Sequence, residues 1–370
     1  MSSPRVIVVG AGIVGCTVAY ELAKTGADVK VLEPRSPGQG ATRASAGILA
    51  PYIEGHEDIF RDLGARSLEM YDGFIARLRD DSGREIPYQR NGTFELAFSD
   101  ADVKRLEALA GVLWQQGVEA RWIAPDGFAA LEPLASRSAL GALLVPVHGF
   151  VGVTALTLAA AAAAERFGAQ FTNAVGAVRI YPLPDGRVEV QASASTWQAE
   201  RVVLAAGSWS QQITVEGADR VPVRPIRGQL IQLQAGAGDI RRVLWGPNGY
   251  LVPWPDGTIL VGSTVEDVGF DERYTDEAVR SLRDAAAQLA PALAGAPVVQ
   301  VRTGLRPRGP DDLPMLGRSN AVPGLIYATA HYRNGVMFTP LTVELVRDLV
   351  LDRATDPALR VLDPSRLGKL

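Results

Sequence analysis

Residues 5–33 read RVIVVGAGIVGCTVAYELAKTGADVKVLE, and two incompatible readings fit the first half of that stretch. A basic residue, Arg5, ahead of an apolar run is how an export signal begins. The same run is also a short buried parallel strand, Val6 to Val9, rich in β-branched residues. The glycines decide between them. Gly10, Gly12 and Gly15 interrupt the apolar run too closely for an export helix, and no small-residue cleavage site follows. As a nucleotide-binding turn each has a purpose: Gly10 permits the tight turn, Gly12 lets the backbone approach a pyrophosphate, and Gly15 lets the next helix lie against the strand. Val14, Val18 and Leu22 then recur at four-residue spacing as the buried stripe of that helix, which Lys24 and Gly26 close. A second strand, Val29 to Leu32, ends at Glu33, about twenty residues beyond the glycines, where a carboxylate accepts from a ribose hydroxyl. Strand, glycines, amphipathic helix, strand and acid in this order predict a dinucleotide site.

The composition suits a soluble intracellular enzyme, expected in the cytoplasm. The chain has 370 residues, room for two domains. A net charge of −4 and a pI near 5.6 provide no basic field for nucleic acid or anionic lipid. The single cysteine, Cys16, excludes an internal disulfide and falls in the first helix, where it reads as a small core residue. No uninterrupted apolar stretch reaches membrane-spanning length. Three histidines, His56, His148 and His331, make no zinc cluster, so no metal is expected. The turn AGSWS at 206–210 lacks the GxSxG elbow of hydrolases.

After Glu33 the chain runs PRSPGQGATRASAGILAP, residues 34–51. A nicotinamide enzyme would return quickly to helix and strand, whereas this glycine-, serine- and threonine-rich segment offers backbone amides to a larger ligand. An alanine-rich helix follows at LTLAAAAAAERFGAQ, a strand near Val175 to Ile180, and then RVVLAAGSWS, in which a buried strand from Val202 to Leu204 runs into Ala205, Ala206 and Gly207. Small residues at the end of a buried strand let the backbone touch a ligand. Near the end, residues 325–351 repeat the pattern as a strand, a polar loop from His331 to Gly335, and a helix. Thr339 is placed to cap that helix, with Pro340 at its first position.

These motifs together, VIVVGAGIVG…VLE, GATRASAGILAP, LAAGSWS, GLRPRGPDDLPMLG and HYRNG, resemble the D-amino-acid oxidase superfamily of FAD-dependent enzymes, and within it the glycine oxidase branch. They occur in family order over nearly the whole chain. The resemblance implies an α/β fold in which a Rossmann-like FAD-binding domain of glutathione-reductase type is interleaved with a substrate domain built on an antiparallel sheet. Matched to this sequence, the FAD domain takes residues 1–85, 149–222 and 300–370, and the substrate domain 86–148 and 223–299. The second set carries TFELAF, an amphipathic helix near Val103 to Gln115, and a hairpin, GYLVPWPDGTILVGST, turning at Pro255, Asp256 and Gly257. Alternation puts Tyr250, Val252 and Trp254 on one face of it.

The resemblance also implies site residues. FAD, held noncovalently, is expected to contact Gly10, Gly12, Gly15 and Glu33, then Arg35, Thr42, Arg43, Ser45, Ala46, Gly47 and Leu49 in the following loop. It is further expected at Val175, at Ala206, Gly207 and Trp209, and at His331, Arg333, Asn334, Gly335 and Val336. Arg306, in VRTGLRPRGP, stands where the family places the arginine that grips a substrate carboxylate, a task suited to a bidentate guanidinium. Arg302 and Arg308 are the alternatives if the register differs. Tyr250 and Arg333 complete the expected catalytic set.

The implied reaction is oxidative deamination of glycine, sarcosine or a related small amino acid by hydride transfer to the flavin. It yields a 2-oxo acid, an amine or ammonia, and hydrogen peroxide when oxygen is the acceptor. The amine must be neutral, and no base is required at the carbon. The expected partners are the amino-acid or secondary-amine substrate and molecular oxygen, with no nucleic acid or membrane; a homo-oligomer is compatible with the sequence. Glycine oxidases carry a histidine two residues before the pocket tyrosine and a methionine in the loop after the serine-alanine stretch. Here those places hold Asn248 and, approximately, Ile48, and Trp245 and Trp254 bracket Tyr250. These departures leave open an oxidase of a larger D-amino acid or an N-substituted glycine, and, in another class, a non-oxidase protein that keeps FAD structurally.

Overall fold

Strand Arg5–Val9 lies at the centre of a six-stranded sheet and divides its side chains between two cores, as a period-2 strand buried on both faces must. Val6 and Val8 pack under helices, while Ile7 and Val9 face the opposite layer. The structure is a computed structural model that describes residues 4–53, 58–172, 176–235 and 240–370. Across the six-stranded sheet the order is Met315–Arg318, Leu325–Thr329, Arg201–Leu204, Arg5–Val9, Asp28–Leu32 and Gln170–Thr172. All neighbours are parallel except the first pair. Helices Ile13–Lys24, Val153–Arg166 and Thr339–Val350 cover one face. Alanines 159–164 give the middle contact its shape, because side chains no larger than a methyl group let Val153–Arg166 pack closely against Ile13–Lys24. A four-stranded sheet including Val178–Pro182 and Val188–Ala192 covers the other face.

An eight-stranded sheet is antiparallel apart from one parallel pair, Val243–Gly246 beside Thr93–Ala97. Its order is Val298–Arg308, Arg224–Gln234, Thr258–Gly262, Gly249–Pro253, Val243–Gly246, Thr93–Ala97, Gly141–Val145 and Arg121–Ile123. One face packs on helix Asp276–Leu289, and the other, at Leu230, Tyr250 and Leu260, packs on Ala44 and Ala46 of the loop after Glu33. The eight-stranded sheet is thereby seated on the dinucleotide loop. Strand Val298–Arg308 belongs to this sheet, so residues 300–308 lie with the antiparallel layer and not with the parallel one. The hairpin turn forms as expected at Pro255–Gly257, where Gly257 has φ +81° and Asp256 Oδ1 accepts from Thr258 N and Oγ1.

Two local expectations are corrected. Thr339 does not cap its helix: Phe338 is the N-cap, and the Thr339 hydroxyl, already inside the first turn, donates to Gly335 O at 2.8 Å. Pro340 is accordingly the second helical residue. No helix among the described residues is long and apolar enough to cross a membrane.

Candidate active site

A cavity of about 570 Å³ runs from the C-terminal ends of the parallel strands to the face of the eight-stranded sheet. Its first end is built by the glycine turn. Gly10 has φ +108°, and a Cβ there would stand 2.5 Å from Ala205 O, so the tight turn against the neighbouring strand requires glycine. Gly15 does not line the cavity; its bare Cα packs on Gly10 O, where strand and helix touch. Gly12 does line it, and a Cβ there would meet only Thr42 Oγ1, at 3.3 Å. That hydroxyl accepts from Ile13 N at 3.0 Å and so fixes the loop over the start of the helix. The first-turn residues Gly12, Ile13 and Val14 all open onto the cavity, an arrangement that favours phosphate. Glu33 is held ready at the rim by two backbone donors, Ala11 N at 2.7 Å and Arg35 N at 2.9 Å.

Small residues keep the backbone accessible along the cavity, as a long dinucleotide needs. At Gly207, φ +54°, an added Cβ would meet nothing within 4 Å. Ser45, Ala46 and Gly47 contribute on one side, and Ala206 and Trp209 on the other. The residues present therefore fit an FAD, with Gly12 open to a pyrophosphate and the Glu33 carboxylate open to a ribose. Arg35 lines the same wall, but its guanidinium is bidentate to Glu272 at 3.1 and 2.7 Å and sits 4.7 Å above the Trp209 ring, which in turn tilts against Phe270 at 5.9 Å. Arg43 is exposed and outside the cavity, and Leu49 is fully buried in the short strand Ile48–Leu49, so neither stands where contact was expected. Val175 lies outside the described residues.

The loop 330–335 closes the wall between the two ends. Ala330 and Tyr332 both have positive φ, and Tyr332 N donates to Pro307 O, which ties the loop to the end of strand Val298–Arg308. His331, Arg333, Asn334, Gly335 and Val336 all line the cavity. His331 is buried, bonded through Nε2 to Thr342 Oγ1 at 3.1 Å, and burial lowers its pKa to about 4.

Five adjacent strands assemble the far end. Arg306 pairs with Ile226, and its guanidinium turns over the neighbouring Gly228, whose missing side chain leaves the space the head occupies. Arg306 Nη1 donates to Thr264 O at 3.0 Å and Arg227 O at 3.4 Å, and Nη2 to Ser263 Oγ at 2.8 Å. Tyr250 pairs with Gly262, and its hydroxyl lies over that glycine, one residue from Ser263. Arg306, Gly228, Ser263, Tyr250 and Trp245 thus share one end of the cavity. The alternative arginines are occupied elsewhere: Arg302 donates to Gln300 and Gln232, and Arg308 is bidentate to Asp312 at 2.6 and 3.0 Å. Of the three, only Arg306 lines the cavity.

Two residues that suggested a larger pocket do not reach it. Asn248 is exposed and bonds Gln288, and Trp254, just past the end of strand Gly249–Pro253, packs edge-on against Phe150 beyond the cavity. Trp245 remains, with its ring 4.9 Å from Tyr250, and Ile48 also lines the wall. Sequence reasoning missed Gly228 and Ser263. Their only signal was a small residue inside one β-rich run and another just after a second.

A family model described as FAD dependent oxidoreductase matches residues 5–349. The chain is 32% identical to the bifunctional protein ThiO/ThiG of Nostoc sp. over 98% of its own length but only 55% of that protein, so it spans about half of that relative. It is 33% identical to glycine oxidase of Pseudomonas aeruginosa, with 96% of this chain and 98% of that one covered. The crystal structure of glycine oxidase from Geobacillus kaustophilus superposes with a TM-score of 0.93 at 28% identity, covering 98% of this chain and 99% of the other.

Proposed function

Because the chain belongs to the family of FAD-dependent oxidoreductases, we propose that it is an amino acid oxidase acting on glycine, sarcosine or a close analogue. Its products would be a 2-oxo acid, ammonia or an amine, and hydrogen peroxide from oxygen. The observation that carries this reading is the position of Arg306: a guanidinium braced from behind by two main-chain carbonyls, facing the same cavity that Gly12 and Glu33 enter from the opposite end. When bound, FAD supplies the two-electron acceptor for the substrate's carbon–nitrogen bond.

The chain's own residues bind and orient. Arg306 holds the substrate carboxylate and so fixes the α-carbon. Tyr250 adds a hydroxyl at the same end, Trp245 supplies an apolar wall, and Arg333 borders the cavity from the loop 330–335. Neither a carboxylate nor a histidine stands ready as a general base at the carbon among the described lining residues. Glu33, their only carboxylate, already accepts two backbone bonds at the far end, and His331, their only histidine, is bonded to Thr342. This supports departure of the C–H electron pair with its hydrogen, from a substrate whose amine is already neutral. The loss of Asn248 and Trp254 from the pocket favours small substrates over long N-alkyl glycines. The reading includes noncovalent FAD, a cytoplasmic setting, and the division into an FAD domain (1–85, 149–222, 300–370) and a substrate domain (86–148, 223–299), with strand Val298–Arg308 straddling one edge.

The test is oxygen uptake across glycine, sarcosine, N-ethylglycine and longer homologues, with D-alanine and D-proline as side-chain controls, for wild type and Arg306→Ala. We expect a maximum at glycine or sarcosine. Arg306→Ala should lose roughly ten- to a hundredfold in kcat/KM at unchanged flavin content, since charge-assisted hydrogen bonds are worth about 1.5–3 kcal/mol. A rise along the N-alkyl series would move the substrate to N-substituted glycines. An absence of uptake with every amine would leave a protein that keeps FAD without oxidase activity.

A further inference from the structure

We propose that Ser263 is a second carboxylate-binding residue, which donates its hydroxyl proton to the substrate carboxylate beside Arg306. The inference rests on the amino-acid reading above and assigns a role to a residue that this reading does not use.

A serine hydroxyl has one proton to donate and lone pairs that accept. Ser263 Oγ accepts from Arg306 Nη2 at 2.8 Å. That bond makes the serine an acceptor toward the arginine and turns its proton away from the guanidinium. Among the described residues no protein acceptor takes that proton, and the side chain is partly exposed on the cavity wall. The proton is therefore left for an acceptor in the cavity. The brace on the other side has the opposite character. Arg306 Nη1 is spent on the carbonyl oxygens of Thr264 and Arg227, so the guanidinium is anchored from behind while Nη2 and the serine hydroxyl stand together at the cavity.

The fold makes this pairing reproducible. Ser263 directly follows strand Thr258–Gly262, whose Gly262 is paired with Tyr250 on one side and with Leu230 on the other. The strand carrying Leu230 also carries Gly228, over which the Arg306 head lies. Ser263, Arg306 and Tyr250 are thus delivered to one point by three consecutive strand pairings. A carboxylate has two oxygens and about four lone-pair sites, more than one guanidinium edge satisfies, and a neutral donor next to the cation takes up the remainder without the cost of burying a second charge.

The experiment uses oxidised holoenzyme titrated with acetate, a carboxylate with no carbon–nitrogen bond to oxidise, and follows binding by the flavin absorbance. Ser263→Ala should weaken acetate about tenfold, equivalent to ~1.4 kcal/mol. Its KM for glycine should rise by the same factor while kcat and flavin content hold. Ser263→Thr, which keeps the hydroxyl, should bind acetate as the wild type does. Unchanged acetate affinity in Ser263→Ala would overturn the proposal. A fall in kcat at constant KM would also overturn it, because the serine would then only steer Arg306. Arg306→Ala in the same titration separates the two levels of argument. If it too binds acetate normally, the carboxylate grip itself is wrong; if it binds weakly while Ser263→Ala does not, only the role of Ser263 fails.

Discussion

Gly228→Ala tests whether the position of one guanidinium, and not merely its presence, sets the activity. The added methyl group would project into the Arg306 head, with Cζ and both Nη atoms well inside the 3.4 Å at which ordinary contact begins. Those are the three nearest atoms to the added carbon, and they end a flexible side chain, so the sheet can keep its register while the guanidinium retreats by about 1 Å. Retreat breaks the bonds to Thr264 O and Ser263 Oγ, which stand at 3.0 and 2.8 Å and have no slack. Misplacing an orienting group by about 1 Å costs on the order of a hundredfold in rate, and we expect kcat/KM for glycine to fall by that amount. The assay is steady-state oxygen uptake, with flavin content and Tm measured on the same preparation to show that the fold and the cofactor site persist. If the variant retains its flavin and keeps kcat/KM within about twofold of wild type, the seat on Gly228 has no functional weight and the reasoning fails.

Three further predictions concern the cofactor and pH. Gly12→Val should yield folded but colourless protein, because the added atoms enter the cavity and near its floor meet only Thr42 Oγ1; wild-type flavin should pass into the supernatant on acid precipitation, since the single cysteine, Cys16, is buried in the first helix with Sγ toward Ala11 O, and flavin left in the pellet would contradict this. His331 is expected to cost stability in acid. Its folded pKa, about 4, lies below the unfolded value near 6.5. Its contribution is therefore complete above about pH 6.5 and lost as pH falls toward about 4, by up to ~3 kcal/mol. Tm measured at neutral pH and near pH 4.5 should drop further in wild type than in His331→Asn, and equal drops would refute the assignment.

The first dinucleotide unit was legible in the sequence because its signals are local. Gly10, Gly12, the helix stripe and Glu33 lie within one βαβ unit and need no distant partner to be interpreted. Arg306 was legible by resemblance, and its neighbours Arg302 and Arg308 could be told from it only by seeing Gln232 and Asp312 take them up. The substrate end was harder to read. Alternation put Tyr250 and Trp254 on one face, which is where they are, yet a shared face does not give a shared pocket: four residues further along the strand direction, Trp254 meets Phe150. Asn248, just ahead of the same strand, turns to solvent and Gln288, which alternation alone does not show. Gly228 and Ser263 gain meaning only through pairings between strands far apart in the chain, and a single sequence does not display those.

The eight-stranded sheet also works as a ruler. Gly304 faces Ala44 and Ala41 of the dinucleotide loop, close enough that an added Cβ would stand 2.7 Å from Ala44 Cβ, and Arg306 follows on the same face two residues later. The spacing along the strand from the residue that faces the dinucleotide loop to the backbone of Arg306 is therefore one repeat, ~7 Å, and it is discrete. A slip of one residue would send Arg306 to the opposite face, and a slip of two would move it by a full repeat. Strand register changes that spacing only in whole repeats, so finer change has to come from side chains, through the seat of the Arg306 head on Gly228 or the walls at positions such as Trp245 and Ile48.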